Sequence, residues 1–378
     1  MKIKRAKPHV VMLNKSYPPW IGGIERHVSD ISTELVRRGW RVTALVCNDC
    51  NQLNEESIDG VEVIRMPQLT RIFSQPIVTG YLKRLQELKP DVVHVHAPFP
   101  LGWGAVNAIN DATPLICTWH SDIIRQRFLM PLLAGFQNRF LERCSKIIST
   151  SQSLIHNSSD LRNYSDKCTV IPLAISPGDS SHEAEIQEKA EKIKNKCPKP
   201  LFLYVGRLVG YKGVKYLIEA MQSVEGTLLI AGDGALKHNL EQQTHQLDLQ
   251  SRVRFLGHVS EMDKSALYHA ADVFVLPSIT ANEAFGYVLL ESMERGCAVV
   301  STDLPTGVKY VNQHGVSGLV VPPQNAQALA NAMNRIVGNE ELLQKLSEGA
   351  KKRVDELFNF HATVDLIEAV YDKALSAS

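Results

Sequence analysis

The chain alternates short, strongly apolar runs with amphipathic segments whose apolar positions recur every three or four residues. The runs HVVML at 9–13, DVVHVH at 91–96 and LFLYVG at 201–206 are rich in β-branched and aromatic residues, which is typical of buried strands. Between such runs lie segments with helical spacing, such as GIERHVSDISTELVRRG at 23–39, which ends at a glycine. This alternation predicts an α/β fold with parallel, doubly wound sheets.

The pattern starts afresh near residue 200, after the charged, helix-like stretch HEAEIQEKAEKIKNKCPKP. A chain of 378 residues also exceeds the roughly 250–300 residues at which a single core stops growing. We therefore predict two Rossmann-like domains, at 1–178 and 199–357, followed by a separate amphipathic helix at 358–378. Two such domains are expected to face each other across a cleft, because ligands bind beyond the carboxyl ends of parallel strands.

Composition narrows the class of protein. Lys and Arg total 41 against 40 Asp and Glu, so the net charge of +1 argues against a nucleic-acid partner held by bulk charge. The basic N-terminal stretch carries only VVML as an apolar run, which is too short for an export signal, and no run approaches the roughly 18 apolar residues of a membrane span. Seven scattered cysteines, including the CNDC pair, favour reduced thiols in the cytoplasm over a disulfide framework or a metal site.

Two candidate loops lie in the first predicted domain. Gly22 and Gly23 precede a helix, where glycine lets the backbone approach a ligand and the helix N–H groups can bind an anion, although taken alone the pair is better explained by a plain turn. His120 and Asp122, in TWHSD, follow the predicted strand PLIC. An imidazole there can donate a proton or hydrogen-bond a sugar hydroxyl, or it can be an ordinary packed loop histidine.

A third loop, GRLVGYKG, follows the strand LFLYV in the second predicted domain. Arg207 and Lys212 put two cations at the mouth of a parallel strand, where they suit a diphosphate: the guanidinium as a planar fork and the ammonium as a point charge. A solvated loop with a chance pair of basic residues is the alternative. Position beyond a strand's carboxyl end supports the phosphate role but leaves both interpretations open.

A fourth loop, EAFGYVLLE, leads into an apolar helical stretch. The backbone amides of Ala284, Phe285 and Gly286 are predicted to open this helix and to bind phosphate. Glu283 before them and Glu291 beyond them can accept hydrogen bonds from sugar hydroxyls, since a carboxylate offers several lone pairs. Two ordinary surface glutamates are the alternative.

Metal chemistry finds little support in the sequence. His94 and His96 lie on one face of a predicted strand, but no third ligand is identifiable, so structural or cleft-lining histidines are the preferred interpretation. No D-x-D occurs that would hold a divalent cation beside a nucleotide diphosphate. We expect no metal.

Taken together, GGIERH, TWHSD, GRLVGYKG, GDG, VRFLGHV and EAFGYVLLE occur in an order that resembles the GT-B-fold glycosyltransferases of the large retaining family 4. The resemblance covers nearly the whole chain and is strongest over residues 200–323. It implies that Gly23 approaches the β-phosphate, and that Arg207 and Lys212 hold the diphosphate without a metal.

The same resemblance implies roles around the sugar and the nucleoside. Glu283 would contact the donor sugar and Glu291 the ribose. His120 would hydrogen-bond the donor sugar near the reacting carbon, with Asp122 close by, and Val259 would contact the base through its backbone. The final helix would cross back onto the N-terminal domain.

The implied reaction is transfer of a hexose from a nucleotide sugar to a hydroxyl with retention of configuration, with no cofactor besides the donor. HSDIIRQ together with EAFGYVLLE is similar to mannosyltransferases of bacterial surface-polysaccharide assembly, which predicts GDP-mannose as donor and a glycan or lipid-linked oligosaccharide as acceptor. A UDP-sugar transferase and a GT-B epimerase or phosphorylase are alternatives. A dinucleotide-dependent oxidoreductase is disfavoured, because G-x-G-x-x-G with an acid about 20 residues on is not found.

A contact with a membrane is a further hypothesis. The stretch RQRFLMPLLAGFQNRFLER at 125–143 mixes arginines with large apolar residues and could lie on the anionic inner face of the plasma membrane. Packing against the N-terminal sheet is the alternative, and Pro131 interrupts a continuous helix.

Overall fold

The structure is a computed structural model that describes residues 8–20, 22–72, 75–123, 130–177 and 180–377. The chain divides into two compact units. The first comprises Met1–Ala174 together with Phe360–Ser378, and the second comprises Ile175–Asn359. Each unit is an α/β body built on its own sheet, so the predicted fold class of two Rossmann-like, mainly parallel sheets is confirmed.

The strands number ten in the described part of the first unit and six in that of the second. Those of the first unit are β1 His9–Leu13, β2 Arg41–Cys47, β3 Asn54–Ile58, β4 Val61–Met66, β5 Gln68–Ile72, β6 Gln75–Val78, β7 Val92–Ala97, β8 Leu115–Trp119, β9 Lys146–Ser149 and β10 Cys168–Val170. Those of the second unit are β11 Leu201–Val205, β12 Thr227–Ala231, β13 Val253–Gly257, β14 Val273–Leu276, β15 Ala298–Thr302 and β16 Gly318–Val321.

The helices of the first unit that precede the second unit in the chain are α1 Gly23–Arg37, α2 Tyr81–Leu88, α3 Pro100–Trp103, α4 Met130–Arg143 and α5 Gln152–Asn157. The second unit contains α6 Glu183–Lys196, α7 Val214–Ala220, α8 Lys237–Gln246, α9 Glu261–Ala270, α10 Tyr287–Glu294, α11 Val308–Val311, α12 Ala326–Val337 and α13 Glu340–Leu357. The last helix, α14 Phe360–Ser376, belongs again to the first unit.

The first sheet has the strand order β10-β9-β8-β7-β1-β2-β4-β3, and the second has the order β13-β12-β11-β14-β15-β16. All neighbours are parallel except β3 and β4. In strands covered by helices on both faces every side chain is buried, as in β1 and β11, and this explains their unbroken apolar sequence. In each sheet the strand order reverses beside the first strand, β1 or β11, which is where ligands bind in such folds.

Two features of the first unit depart from simple strand–helix alternation. β3 and β4 form an antiparallel hairpin whose turn, Asp59–Gly60, has positive φ at both residues, as a two-residue hairpin loop requires. β5 and β6 form a separate antiparallel pair. In addition, α6, which the sequence pattern put in the connection between the domains, packs against α9 within the second unit.

The segment for which a membrane contact was hypothesised is described only from residue 130 onward, and residues 125–129 lie outside the described structure. In the part that is described, Phe140 is fully buried and stacks on Trp103, while Leu133 and Phe136 pack against the same core. These apolar side chains therefore serve the first unit's own core. Among the described residues, none of the helices has the length and apolar character needed to cross a membrane.

The last helix, α14, is fastened to the first unit by an apolar stripe and by an ionic clamp. Val364, Ile367 and Tyr371 recur at helical spacing and are fully buried. Beside them Glu368 accepts hydrogen bonds from Arg38 Nη1 at 2.6 Å and from Trp40 Nε1 at 2.6 Å. The helix is thus an integral part of the first unit's core.

We predict that Ile367→Ala lowers the free energy of unfolding of the first unit by about 2–5 kcal/mol, because it leaves a cavity in a close-packed core. Ile367 is 1% exposed, whereas the neighbouring Leu366 is 49% exposed, so Leu366→Ala is the matched control and should change stability little. Urea denaturation followed by tryptophan fluorescence reports this unit alone, since it contains all four tryptophans, Trp20, Trp40, Trp103 and Trp119. Equal losses of unfolding free energy in Ile367→Ala and Leu366→Ala would contradict the assignment of Ile367 to the buried face of α14.

Candidate functional site

The candidate site in the second unit lies at the carboxyl edge of its sheet. The loops that follow β11, β12, β13 and β14 all start there, because the strands are parallel. β11 and β14 are direct neighbours although they are far apart in the chain. The loops after these two strands carry Lys212 and Glu283, so the sheet topology brings these residues together at the point where the strand order reverses.

Lys212 and Glu283 form a buried ion pair. Lys212 Nζ lies 2.6 Å from Glu283 Oε2, and each residue is only 8% exposed. Ser278 Oγ donates a second hydrogen bond to the same oxygen at 2.9 Å. Two charges withdrawn from water in this way depend on each other, since removal of one leaves the other uncompensated. The two residues that the sequence predicts for phosphate and sugar contacts are therefore one physical unit.

The backbone after Lys212 allows this approach. Gly213 has a φ of +67°, and a Cβ built on it would lie 2.1 Å from the carbonyl oxygen of Pro277, which follows β14. A glycine at this position is needed both for the left-handed conformation and for the close contact. It places the turn Gly210–Lys212 directly against the loop that carries Ser278 and Glu283.

Arg207 occupies the same loop but is exposed. Its Nη2 donates to the hydroxyl of Tyr211 at 3.1 Å, and its carbonyl oxygen accepts from the hydroxyl of the buried Tyr204 at 3.0 Å. The hydroxyl of Tyr204 thus fixes the backbone of Arg207, while the guanidinium stays accessible. An accessible planar cation beside a buried one suits a ligand that carries more than one negative charge.

The loop GDG after β12 supports the Arg207 loop. Leu208 N donates to the carbonyl oxygen of Asp233 at 2.9 Å, and Gly232 lies so close that a Cβ there would be 2.0 Å from the carbonyl oxygen of Gly206. Asp233 Oδ1 accepts from Gly234 N at 2.7 Å, so this carboxylate stabilises its own turn. The described contacts of Asp233 therefore hold its own turn and the Arg207 loop in place.

The helix after Glu283 begins later than the sequence pattern predicts. α10 starts at Tyr287, with Gly286 preceding it at a φ of +80°, so Ala284, Phe285 and Gly286 form the loop before the helix and not its first turn. The carbonyl oxygen of Ala284 accepts from Gly307 N at 2.8 Å. The amides predicted to bind phosphate therefore lie in a loop that leads into the helix.

Glu291 is held by the neighbouring helix α9. Lys264 Nζ lies 3.0 Å from its Oε1, and the hydroxyl of Tyr268 donates to its Oε2 at 2.8 Å. The carboxylate is buried, and each of its oxygens has a partner. Lys264 and Tyr268 were not predicted as site residues, although their spacing of four residues puts them on one helix face.

Val259 lies near the same helix. It follows β13 and is half-buried, and Ser260 directly after it caps α9 by accepting a hydrogen bond from Asp263 N at 3.1 Å. The predicted base contact and the residues that hold Glu291 thus belong to one continuous segment of the second unit.

The remaining predicted residues belong to the first unit. Gly22 is extended, with a φ of −163°, and Gly23 opens α1, while Ile21 lies outside the described structure. Asp122 Oδ1 accepts hydrogen bonds from Trp119 Nε1 at 2.9 Å and from Ser158 Oγ at 2.6 Å. These contacts give Asp122 the role of fixing the loop that carries His120.

His120 is buried in a cluster of histidines and not exposed in an open loop. Its Nε2 lies 3.2 Å from Nδ1 of His96. The ring of His27 stands edge-on to that of His120, and the ring of His94 stacks on that of His96. Burial lowers the pKa of His120 to about 3, so its ring is neutral near neutral pH. Within the part of the chain that is described, no three His, Cys, Asp or Glu residues are arranged to hold a metal ion.

Comparison with known proteins agrees with this architecture. The family model Glycosyltransferase Family 4 matches residues 21–178, and the model Glycosyl transferases group 1 matches residues 185–353. Among solved structures, sucrose-phosphate synthase from Thermosynechococcus elongatus superposes with a TM-score of 0.78 at 23% identity, over 98% of this chain and 100% of that one. HepE from Anabaena, solved in complex with UDP and glucose, superposes with a TM-score of 0.75 at 20% identity, over 97% of this chain and 100% of that one.

Two curated relatives are more similar in sequence. The O-antigen chain mannosyltransferase C of Escherichia coli is 31% identical over 364 residues, which is 96% of this chain and 97% of that protein. The D-rhamnosyltransferase WbpZ of Pseudomonas aeruginosa is 34% identical over 295 residues, 76% of each chain. These matches, together with the two Rossmann-like units, identify the protein as a GT-B-fold glycosyltransferase. The chain belongs to glycosyltransferase family 4.

We predict that the first unit loses stability as the pH falls below about 6.5. Burial lowers the pKa of His94 and of His120 to about 3, so between these two values the unfolded chain binds protons that the folded unit does not. Each histidine then destabilises the folded unit by up to about 1.4 kcal/mol per pH unit. Urea midpoints from tryptophan fluorescence between pH 7.5 and 5 measure the slope.

His120→Asn replaces the imidazole by an amide that does not titrate. The urea midpoint of this variant should therefore depend less steeply on pH, and the substitution should change the midpoint less at pH 7.5 than the pH dependence does. An unchanged slope in the variant would show that His120 is protonated in the folded unit or is not the group that titrates.

Proposed function

We propose that this glycosyltransferase moves mannose from GDP-mannose to a hydroxyl of a glycan or lipid-linked oligosaccharide, with retention of configuration and without a metal, in the synthesis of a surface polysaccharide. The similarity over 96% of the chain to a protein named O-antigen chain mannosyltransferase C supports the sugar and the type of product. The second relative is named a D-rhamnosyltransferase, which supports sugar transfer but with a sugar other than mannose.

The observation that carries the proposal is the buried Lys212–Glu283 pair at the carboxyl edge of the second sheet. When a glycosyl–phosphate bond breaks, negative charge develops on the departing diphosphate. A fixed ammonium and an accessible guanidinium, those of Lys212 and Arg207, stabilise that charge without reorganisation at the moment of reaction. In this proposal the two side chains act in place of a divalent cation.

Glu283 is suited to hold the donor sugar. Both hydrogen bonds described above, from Lys212 and Ser278, use Oε2, and Oε1 can accept from a sugar hydroxyl. Its position is set before the ligand arrives, because the carboxylate is fixed by two partners. If Lys212 turned from Glu283 to a bound phosphate, the hydrogen bond from Ser278 Oγ would still hold the Glu283 carboxylate.

Glu291 is suited to hold the ribose. Lys264 and Tyr268 fix the carboxylate in one orientation, and each oxygen keeps a further lone pair for a hydroxyl of a vicinal diol. The backbone near Val259 would contact the base. Both UDP-sugars and GDP-mannose fit this description, and the HepE structure with UDP is the observation that favours UDP as the second candidate.

Retention follows, in this proposal, from attack of the acceptor on the same face as the departing phosphate, whose oxygen helps to take the acceptor's proton. Glu283 and Glu291 are each paired with a lysine, and the proposal gives neither the role of the covalent nucleophile that retaining hydrolases use. A cytoplasmic location and a contact of 125–143 with the inner face of the plasma membrane stay predictions.

The donor is tested by thermal-shift measurements with GDP, UDP and ADP and with their sugar conjugates. We expect GDP and GDP-mannose to raise the unfolding temperature, because a ligand that binds the folded protein alone stabilises it by mass action. Stabilisation by UDP and UDP-sugars alone would replace GDP-mannose by the UDP-linked alternative. Release of free nucleotide and rearranged sugar without any acceptor would favour an epimerase.

The product of the reaction with the donor so identified is then analysed by NMR. We expect an α-linked product from an α-linked donor, and turnover unchanged by a chelator. A β-linked product would reject retention, and loss of turnover on chelation would reject the metal-independent mechanism.

The phosphate role is tested by Arg207→Ala and Lys212→Met. We expect each to lower kcat by about 10- to 1,000-fold, in the range found when a preorganised charge partner is removed. Arg207 is exposed, so its variant should fold normally, whereas Lys212→Met leaves Glu283 buried without its cation. Lys192→Ala, which removes a surface lysine paired with Glu188, is the matched control and should be active. Near-normal turnover of Arg207→Ala and Lys212→Met would contradict the phosphate role.

A further inference from the structure

The first unit contains four buried histidines packed as one cluster: His27 from α1, His94 and His96 from β7, and His120 after β8. His94 stacks on His96 with ring centroids 4.4 Å apart, and His96 is nearly parallel to His120 with centroids 5.5 Å apart and an interplanar angle of 20°. The ring of His27 stands edge-on to both, 6.1 Å from His96 and 5.7 Å from His120. Only His120 has a role in the proposed reaction.

The two ends of this cluster differ in their hydrogen bonding. At one end His94 is anchored through both nitrogens, by the Tyr371 hydroxyl at 2.6 Å from Nδ1 and by Thr118 Oγ1 at 2.7 Å from Nε2. At the other end three buried ring nitrogens have no hydrogen-bond partner among the described residues, namely Nε2 of His96, Nδ1 of His120 and Nδ1 of His27. The cluster is therefore held firmly at the His94 end, and its His96–His120 end is held by the contact between those two rings.

The contact between His96 Nδ1 and His120 Nε2, at 3.2 Å, links the protonation of the two rings. Burial lowers the pKa of both imidazoles well below the usual value, so both rings are neutral and each carries one N–H. A hydrogen bond between the two nitrogens needs one N–H and one bare nitrogen. The tautomer of one ring therefore dictates that of the other, and of the two outer nitrogens one is a donor and the other an acceptor.

We propose that His96 is a positioning residue for His120: the hydrogen bond between them orients the ring of His120 and couples the tautomers of the two rings, so that His120 contacts the donor sugar in one orientation. The proposal rests on the proposed function, together with the contact between His120 and the donor sugar that the family resemblance implies. His94 supports His96 by stacking, and its own ring cannot turn because Tyr371 and Thr118 hold both nitrogens. The returning helix α14 thereby contributes, through Tyr371, to the placement of His120.

The kinetic test compares three variants of His96. His96→Leu removes the hydrogen bond, and we expect kcat to fall about 10- to 100-fold, as for other residues that orient a functional histidine from behind. The dissociation constant of the nucleotide should stay the same, because the rings that surround His96, those of His27, His94 and His120, are not among the predicted nucleotide contacts. His96→Asn puts an amide group where Nδ1 lies and should restore most of kcat, whereas His96→Gln reaches toward Nε2 and should not.

His9 provides the matched control. It is another buried imidazole of the same sheet, hydrogen-bonded through Nε2 to Thr43 Oγ1 at 2.8 Å, and it lies outside the cluster. His9→Leu should lower the urea midpoint without changing kcat. If His96→Leu kept full kcat, or if the Leu, Asn and Gln variants lost kcat in proportion to their urea midpoints, His96 would be structural only and the proposal would be overturned.

A spectroscopic test does not depend on the reaction. Ring ¹⁵N shifts of the protein labelled at histidine distinguish a protonated from a bare nitrogen, and His120 is assigned by its loss in His120→Asn. We expect a single tautomer of His120 in the unaltered protein and in His96→Asn, and a mixture or reversal in His96→Leu.

The same tautomer in all three proteins would overturn the proposal. If the protein transferred no sugar from any nucleotide, the proposed function would fail, while the ¹⁵N result would still decide whether His96 sets the tautomer of His120.

Discussion

The charged site depends on one buried ion pair, that of Lys212 and Glu283. The residues are separated by 71 positions and meet because β11 and β14, which precede their loops, are neighbours in the sheet. The pair cannot form at this depth unless the two loops touch, and Gly213 permits this by accepting a left-handed conformation against Pro277. An uncompensated charge here would destabilise both loops, so the chemistry of the site and the stability of the sheet edge share one interaction.

Sequence periodicity was sufficient to predict most of the fold, and it put Lys212 and Glu283 in loops after strands, where the structure also has them. Unbroken apolar runs such as β1 and β11 could be predicted because both faces of a parallel sheet are covered. The β3–β4 hairpin was missed although Asp59–Gly60 is a strong turn signal, since its outer strand is too polar to show as a strand. The residues before α10 were predicted as helix because Phe285 fits the apolar spacing, but the left-handed Gly286 delays the helix start.

What sequence could not show is which side chains meet across elements. The spacing of Lys264 and Tyr268 places them on one face of α9, but nothing in it indicates that this face holds Glu291. In the same way His94 and His96 share a strand face by alternation, while their contacts with His120 and Tyr371 depend on the order of the strands and on a helix at the far end of the chain. Such contacts follow from topology, and topology is set by the whole chain.

The two units solve the same problem of fixing polar groups by opposite electrostatic means. In the second unit each carboxylate that we propose binds the donor is paired with a lysine, Glu283 with Lys212 and Glu291 with Lys264, so negative acceptors are held by positive neighbours. In the first unit His120 and His96 are kept neutral by burial and are held by a hydrogen bond between their rings. In the proposed reaction the charged side chains of the second unit stabilise the diphosphate leaving group, whereas the contact of His120 with a sugar hydroxyl depends on the direction of a neutral imidazole more than on charge.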